Sequence, residues 1–300
     1  MKTKTRTLLL TIIASLIISG TSFAANFSPY YLVDGTSGTL SELKTKLTNT
    51  LKSNSFKILG EYNPSGNSEL YVVAFTRDDL TNLSLKFENR GALGSVMKAA
   101  LRQTAKGVEL SFINPEYMFN AYFMNKIENQ KSELIKISDE IKSALKSMGT
   151  GLSNFGGEVS EKDLQGYQYM WGMPEFTDPV ELEEFSSFEE GVKVIRANLD
   201  AKKGNTIKVY EQYIPGSKII VFGVGIPNTK VGEGHFLPII GDKHIAAMPY
   251  EIILQGNTAT ILHGRFRFAL YWPELTMGTF TKIMSTPGDV ENVLEELTEK

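Results

Sequence analysis

The chain contains no cysteine among its 300 residues. Disulfides, thiol nucleophiles, iron–sulfur clusters and thiolate zinc sites are therefore all excluded. An exported protein without cysteine suits the bacterial periplasm, where a free thiol would be oxidised. The absence of cysteine thus excludes cysteine-based sites and agrees with a periplasmic location.

Clustered positive charge and long apolar runs are also scarce. The net charge is −3, and no stretch concentrates lysine or arginine. Proteins bind nucleic acids and anionic lipids through clustered positive charge, so neither is expected as a partner. After residue 24 no stretch is long and apolar enough to cross a bilayer, so we expect no stable membrane insertion.

The first 24 residues have the layout of a secretory signal peptide. Three cations precede an apolar run from Leu8 to Ser19, and Ser22-Phe23-Ala24 follows with small residues at both recognition positions. The apolar run of 12 residues is shorter than the roughly 18 that span a bilayer. Cleavage after Ala24 and a periplasmic location are therefore predicted.

The remaining chain predicts an α+β protein with two tandem units. The first unit covers residues 25–125 and the second covers 181–300. Between them, segment 126–180 begins with an amphipathic pattern from Lys126 to Met148 and turns loop-like at Gly149. This pattern predicts a long connecting helix.

The two units repeat the same order of elements. A helix capped by Thr39 or Ser41 precedes the apolar run Leu70 to Phe75, and a helix capped by Ser186 or Ser187 precedes the run Lys218 to Val224. Continuous apolar runs of this length indicate strands covered on both faces. We also expect a short helix over Ser95–Thr104 in the first unit, and in the second a long loop over Gly225–Gly241 and a tail helix over Asp289–Thr298.

Matching residues about 150 positions apart indicate a duplication. The matches are Leu47 and Leu51 with Ile195 and Leu199, Glu61–Pro64 with Gln212–Pro215, Ala99–Leu101 with Ala246–Met248, and Phe119, Tyr122 and Phe123 with Phe268, Tyr271 and Trp272. Their offsets differ only slightly, as small loop insertions produce. Chance similarity of two α/β units is the alternative interpretation.

The second unit resembles the bacterial family called domain of unknown function 302. The resemblance rests on the strand Ile219–Gly223, the turn Ala246–Pro249 and the hairpin ending in Tyr271-Trp272-Pro273; the insertion Val224–Ile226 departs from the family pattern. It implies a compact two-layer α/β unit that tends to pair. Two tandem copies would then form an intramolecular pseudo-dimer joined by the connecting helix. The resemblance implies no activity.

The segment Met248 to Trp272 reads as two strands around a Gly-Asn turn. On the second predicted strand His263, Arg265 and Arg267 share one face, because alternate residues point the same way. With Trp272 nearby, this strip can hold an anionic ligand through charge-assisted hydrogen bonds. A solvated sheet face is the alternative.

A further aromatic group is predicted to form core or interface, or else to line a groove beside Arg265 and Arg267. Its members are Tyr167, Tyr169 and Trp171, on a predicted short strand, and Tyr271 and Trp272.

A second candidate site is a metal site on the loop 225–244. Glu233, His235, Asp242 and His244 offer the nitrogen and oxygen ligands that a borderline metal accepts. Their spacing is not that of a known zinc motif, and ordinary solvated or hydrogen-bonded side chains are the alternative.

No catalytic motif is present: a Gly-x-Ser-x-Gly elbow, a P-loop lysine and an ordered Ser/His/Asp set are all missing. We therefore expect an exported, non-catalytic protein without a cofactor, which binds a small, anionic ligand or a protein partner between its two units. A metal-dependent enzyme using His235, Asp242 and His244 is the first alternative. A third hypothesis makes the connecting and tail helices docking surfaces in an envelope complex.

Overall fold

The computed structural model describes residues 25–300, and the predicted signal peptide lies outside that range. The described chain is a mixed α+β protein whose strands pair in antiparallel sheets, as expected. None of its helices combines the length and the apolar composition needed to cross a membrane.

The first unit and the connector contain eight strands and five α-helices. In chain order they are β1 (Asn26–Phe27), β2 (Tyr30–Asp34), α1 (Leu40–Ser53), β3 (Lys57–Tyr62), β4 (Leu70–Thr76), α2 (Asp78–Ser84), β5 (Met97–Thr104), β6 (Gly107–Ile113), α3 (Pro115–Phe123), α4 (Lys131–Lys146), β7 (Gly151–Phe155), β8 (Val159–Ser160) and α5 (Glu161–Gln165).

The second unit contains five strands and five α-helices. They are β9 (Val180–Glu184), α6 (Phe188–Asp200), β10 (Ile207–Tyr213), β11 (Ile219–Gly225), α7 (Glu233–Ile240), β12 (Tyr250–Gln255), β13 (Thr258–Ile261), α8 (Gly264–Tyr271), α9 (Met277–Phe280) and α10 (Thr286–Glu296).

The two large sheets have the same strand order. The first runs β3-β4-β5-β6-β2, with β7 added at its edge, and the second runs β10-β11-β12-β13-β9. Each also has a register shift at the same place, between Ile58 and Gly60 in β3 and between Lys208 and Tyr210 in β10. Position by position, the two units therefore share one topology.

Local sequence accounts for the first helix of each unit. The Thr39 hydroxyl accepts from the backbone N–H of Glu42, whose carboxylate accepts from the N–H of Thr39, which completes a capping box. Ser187 caps α6 by accepting from the N–H of Glu190. The matched pairs Leu47 with Ile195 and Leu51 with Leu199 are buried at the same helical positions. These predictions are confirmed.

Each sheet is covered by a helix on one face and meets the other unit on the opposite face. Helix α1 packs across β3, β4 and β5, and α6 packs across β10, β12 and β13. On the other face Lys98 of β5 pairs with Glu251 of β12, both nearly fully buried. The edge strands β3 and β10 approach so closely that a Cβ on Gly60 would lie 1.9 Å from the carbonyl oxygen of Val209.

Four predicted elements differ from those observed. Residues 97–104 form strand β5 where a helix was expected, and residues 167–171 form no strand. The expected loop 225–241 contains helix α7, and the second predicted strand of the hairpin ends at Ile261, where α8 soon begins. Short apolar runs fit either period, so tertiary contacts decide such segments.

The proposed match of Ala99–Leu101 with Ala246–Met248 also fails. The first triplet lies in β5, whereas the second lies at a 3₁₀ turn before β12. The sheet registers place Lys98 opposite Ala74 and Glu251 opposite Gly223, so Lys98 and Glu251 are the equivalent residues.

The connector packs on the first unit and does not form a free link. Its helix begins at Lys131 and contacts α1 and α3, after a 3₁₀ stretch over 124–130. Strand β7 then pairs with β2 and extends the first sheet. The first sheet therefore includes a strand from beyond residue 125, where the first unit was expected to end.

Candidate functional site

An apolar cavity of about 210 Å³ lies beside helix α8. Arg265, Phe268, Ala269 and Trp272 form its floor. The segment Tyr169–Met173 forms one wall, and residues between Leu275 and Met284 form the other. Among residues 25–300, Arg265 is the one charged residue in the lining, and no carboxylate or histidine takes part. The cavity can hold a single ring or a short acyl chain, since a cavity of about 150 Å³ binds benzene.

Three tyrosines fix the C-terminal end of α8. Hydroxyls of Tyr167, Tyr117 and Tyr30 donate to the backbone carbonyls of Ala269, Leu270 and Tyr271 at 2.8, 2.8 and 2.9 Å. The last carbonyls of a helix have no partner within it, so these bonds satisfy groups that would otherwise be buried unpaired. They come from the connector and the first unit, which therefore position the floor of the cavity.

The start of α8 is capped by His263. Its Nδ1 accepts from the backbone N–H of Arg265 at 3.2 Å. This places His263 at the helix terminus and outside the lining of the cavity. His263 is therefore the N-cap of α8, a role that no sequence pattern indicated.

The expected His263, Arg265 and Arg267 strip does not form. These residues lie at the start of a helix, where side chains two positions apart point about 200° apart. Arg265 and Trp272 line the cavity, but Arg267 does not. Two of the four predicted ligand residues are therefore brought together, and two are not.

Arg267 is a buried structural residue. Its guanidinium donates to the carbonyls of Ala247 and Pro249 at 2.5 and 3.1 Å and stacks on the Tyr250 ring at 3.9 Å. Burial opposes its charge, but the surrounding phenol oxygens and the Glu251 carboxylate raise its pKa above the ordinary value. Arg267 thus ties α8 to the segment before β12.

Arg265 is exposed and has no ion pair or side-chain hydrogen bond among residues 25–300. It therefore offers its five N–H donors to a ligand at the edge of an apolar cavity. A planar guanidinium in such a place favours a carboxylate or another anionic group. Arg265 therefore gives this apolar cavity one positively charged group that can bind an anion.

Methionine forms much of the cavity wall. Met170, Met173, Met277 and Met284 all line it, and Phe280 lies 6.3 Å from Phe268 between ring centroids. Unbranched thioether side chains adapt to ligands of different shape. Met277 and Met284 were not among the predicted site residues, although the methionines of MGTFTKIM were a usable signal.

The expected metal site does not form. Within the described part of the chain no group of three or more His, Cys, Asp or Glu side chains is placed to hold a metal ion. The Glu233 carboxylate accepts from the Tyr62 hydroxyl at 2.8 Å and the Ser65 N–H at 2.9 Å, and Asp242 accepts from Arg102 at 2.7 Å. Burial raises the pKa of Glu233. His235 lies on α7 and completes no such group.

His244 is buried among aromatic rings. Its imidazole lies 5.1 Å from the Tyr30 ring and 5.9 Å from the Trp272 ring between centroids. Neither ring nitrogen makes a hydrogen bond, although Nε2 lies 3.2 Å from a Glu274 oxygen. Burial, with Lys243 and Arg102 nearby, lowers the pKa of His244 to about 4. The ring is therefore neutral and serves packing.

The region between the units is filled. The Tyr122 and Tyr271 hydroxyls bond to each other at 2.9 Å, and Gln212 donates to Thr81 at 3.0 Å. With the buried Lys98–Glu251 pair, these side chains occupy space between the units, whereas the cavity of about 210 Å³ is lined by the second unit and the connector. This cavity is therefore not in the inter-unit region, where ligand binding was expected.

Comparison with known families finds no family model that matches this chain, and no curated protein matches it significantly in sequence.

Proposed function

We propose that this is a non-catalytic binding protein whose cavity beside α8 takes a ligand with an apolar body and an anionic group. The observation that carries the proposal is Arg265, a free guanidinium at the edge of a cavity of about 210 Å³ with apolar walls. Within the described part of the chain the lining offers no carboxylate or histidine for acid–base chemistry, which favours binding over catalysis. The bacterial periplasm is the proposed location, because residues 1–24 have a signal-peptide pattern.

Binding of matched probes tests the proposal. We expect 3-phenylpropionate to bind the protein more tightly than 3-phenylpropanol, which has the same ring and chain without the charge. Arg265→Gln should weaken phenylpropionate about fivefold and leave the alcohol unchanged, because one exposed ion pair contributes up to about 1 kcal/mol. Isothermal titration measures both affinities.

A cavity-filling variant locates the probe. Ala269→Phe places a ring in the cavity floor and should abolish binding of both probes while circular dichroism stays unchanged. If phenylpropionate binds Ala269→Phe as well as it binds the native protein, the probe occupies another site and the proposal is wrong.

We also propose that the two units arose by duplication and pair as an intramolecular pseudo-dimer. Support comes from equivalent residues that contact one another: Lys98 with Glu251, and Tyr122 with Tyr271. Contacts between the same positions of two units are expected at a two-fold interface. The resemblance to domain of unknown function 302 remains a prediction and agrees with such pairing.

A further inference from the structure

Helices α3 and α8 occupy equivalent places in the two units. Asn114 caps α3 by accepting from the backbone N–H of Glu116 at 3.1 Å, just as His263 caps α8 by accepting from Arg265 at 3.2 Å. Counting from the caps, Glu116 corresponds to Arg265 and Phe119 to Phe268. The outer faces of the two helices can therefore be compared residue by residue.

In the first unit this face is closed by helix α4. Helix α4 packs on α3, and Leu134 and Phe119 line a remaining space of only about 20 Å³ between them. The Glu116 carboxylate accepts from Lys142 of α4 at 2.7 Å. The amphipathic helix α4 thus covers this face, and its Lys142 pairs with the Glu116 carboxylate of α3.

In the second unit the equivalent face is open. It holds the cavity of about 210 Å³. Tyr169, Met170, Met277 and Met284 line it, and Trp171 lies in the chain between the lining residues Met170 and Met173. These are five of the eight large apolar side chains exposed among residues 25–300. Trp171 is 96% exposed. A small molecule inside the cavity would leave these side chains in water, whereas exposed apolar patches of this kind mark partner surfaces.

We propose that this face binds an amphipathic helix of a partner protein, in the way that α4 covers α3. Because Arg265 stands where Glu116 stands, the partner helix carries a carboxylate at the place that Lys142 occupies on α4. Methionine, tryptophan and arginine are enriched at protein interfaces, and methionine-lined grooves accept helices of varied sequence. The inference rests on the proposed binding function of the same cavity and names the class of ligand.

The chain supplies its own probe. One peptide copies residues 126–148, and a second carries Lys142→Glu. We expect the Glu peptide to bind the whole protein roughly tenfold more tightly than the Lys peptide, because attraction to Arg265 replaces repulsion. Arg265→Glu should reverse that order, and Lys193→Glu, an equally exposed cation on α6, should not. Fluorescence anisotropy of labelled peptides measures the affinities.

A second substitution tests the apolar part of the surface. Trp171→Ser should weaken the Glu peptide roughly tenfold or more, since a large side chain then stays unburied in the complex. Tyr213→Ser, which alters an aromatic residue 53% exposed on β10, should have no effect.

Each of the following results would overturn the inference. Equal affinity of the two peptides, or insensitivity to Arg265→Glu, would show that Arg265 selects no carboxylate. Stronger binding of the Lys peptide would indicate that it replaces α4 on the first unit. Binding of phenylpropionate without either peptide would leave the proposed function standing and reject a helical partner, whereas failure of all three probes rejects both.

Discussion

Two arginines on one turn of α8 have opposite roles because of their surroundings. Arg267 is 2% exposed and donates to two backbone carbonyls, so its charge is fixed in the core. Arg265, two residues earlier, extends into solvent beside the cavity and has no side-chain partner among the described residues. Residue type alone could not separate them, since both were predicted to face one side of a strand.

His244 predicts a dependence of stability on pH. Its pKa is about 4 in the folded protein and near 6.5 in the unfolded chain, so below pH 6.5 the unfolded state gains a proton that the folded state resists. The free energy of unfolding should therefore fall as the pH drops from about 6.5 to 4, by roughly 3 kcal/mol from this group.

His244→Phe should remove that part of the dependence. Urea titrations at several pH values between 7 and 4 would compare the two proteins. The buried Glu233, whose raised pKa acts in the opposite direction, is present in both, so the difference isolates His244. Parallel pH profiles would contradict the assignment.

At the scale of elements, α8 depends on contacts that are distant in sequence. Its carbonyl ends are satisfied by Tyr30, Tyr117 and Tyr167, which belong to β2, α3 and the connector. Its own sequence, GRFRFALY, alternates polar and apolar residues as a strand does. The helical conformation prevails because the folded protein supplies partners for a helix end at this place.

Tyr117→Phe should destabilise the protein by about 1–3 kcal/mol, because it leaves the buried carbonyl of Leu270 without a donor. Tyr213→Phe is the matched control: its hydroxyl also donates to a backbone carbonyl, that of Ser217, but in an exposed setting. The control should change the free energy of unfolding by less than about 0.5 kcal/mol. Urea denaturation measures both, and equal losses would count against the role of burial.

At the scale of the whole molecule, opposite charges distinguish the two units. Lys98 and Glu251 stand at equivalent positions and form a nearly fully buried ion pair. Pairing two first units would bury two ammonium groups, and pairing two second units would bury two carboxylates. Burying like charges is costly, so the pair favours association of a first unit with a second.

Charge reversal tests this specificity. Lys98→Glu should cost about 3–5 kcal/mol, because it places two carboxylates together in the core. Adding Glu251→Lys should restore most of the loss. The same reversal at the exposed pair Lys86–Glu133, separated by 3.5 Å, should change stability by less than about 0.5 kcal/mol. If the double variant is no more stable than Lys98→Glu alone, the Lys98–Glu251 pair does not determine which units associate.

Features that depend only on neighbouring residues could be read from the sequence. Thr39 and Ser187 were each one of two candidate caps, and the buried strands β4 and β11 and the repeated order of elements were predicted, because capping and periodicity act within a few residues. Arg265 and Trp272 of the predicted anion site both line the cavity beside α8, although the strand that was expected to unite the four residues is a helix. Anion binding there stays a prediction.

The remaining features depend on how distant parts of the chain pack together. Tertiary packing separated Glu233, Asp242 and His244 by giving each its own buried or paired surroundings, filled the space between the units, and opened a cavity beside α8. It also placed the connector on the first unit, so that the same helix face is closed by α4 there and open in the second. These outcomes depend on residues up to 241 positions apart, such as Tyr30 and Tyr271, whose contact exists only once the sheets have packed.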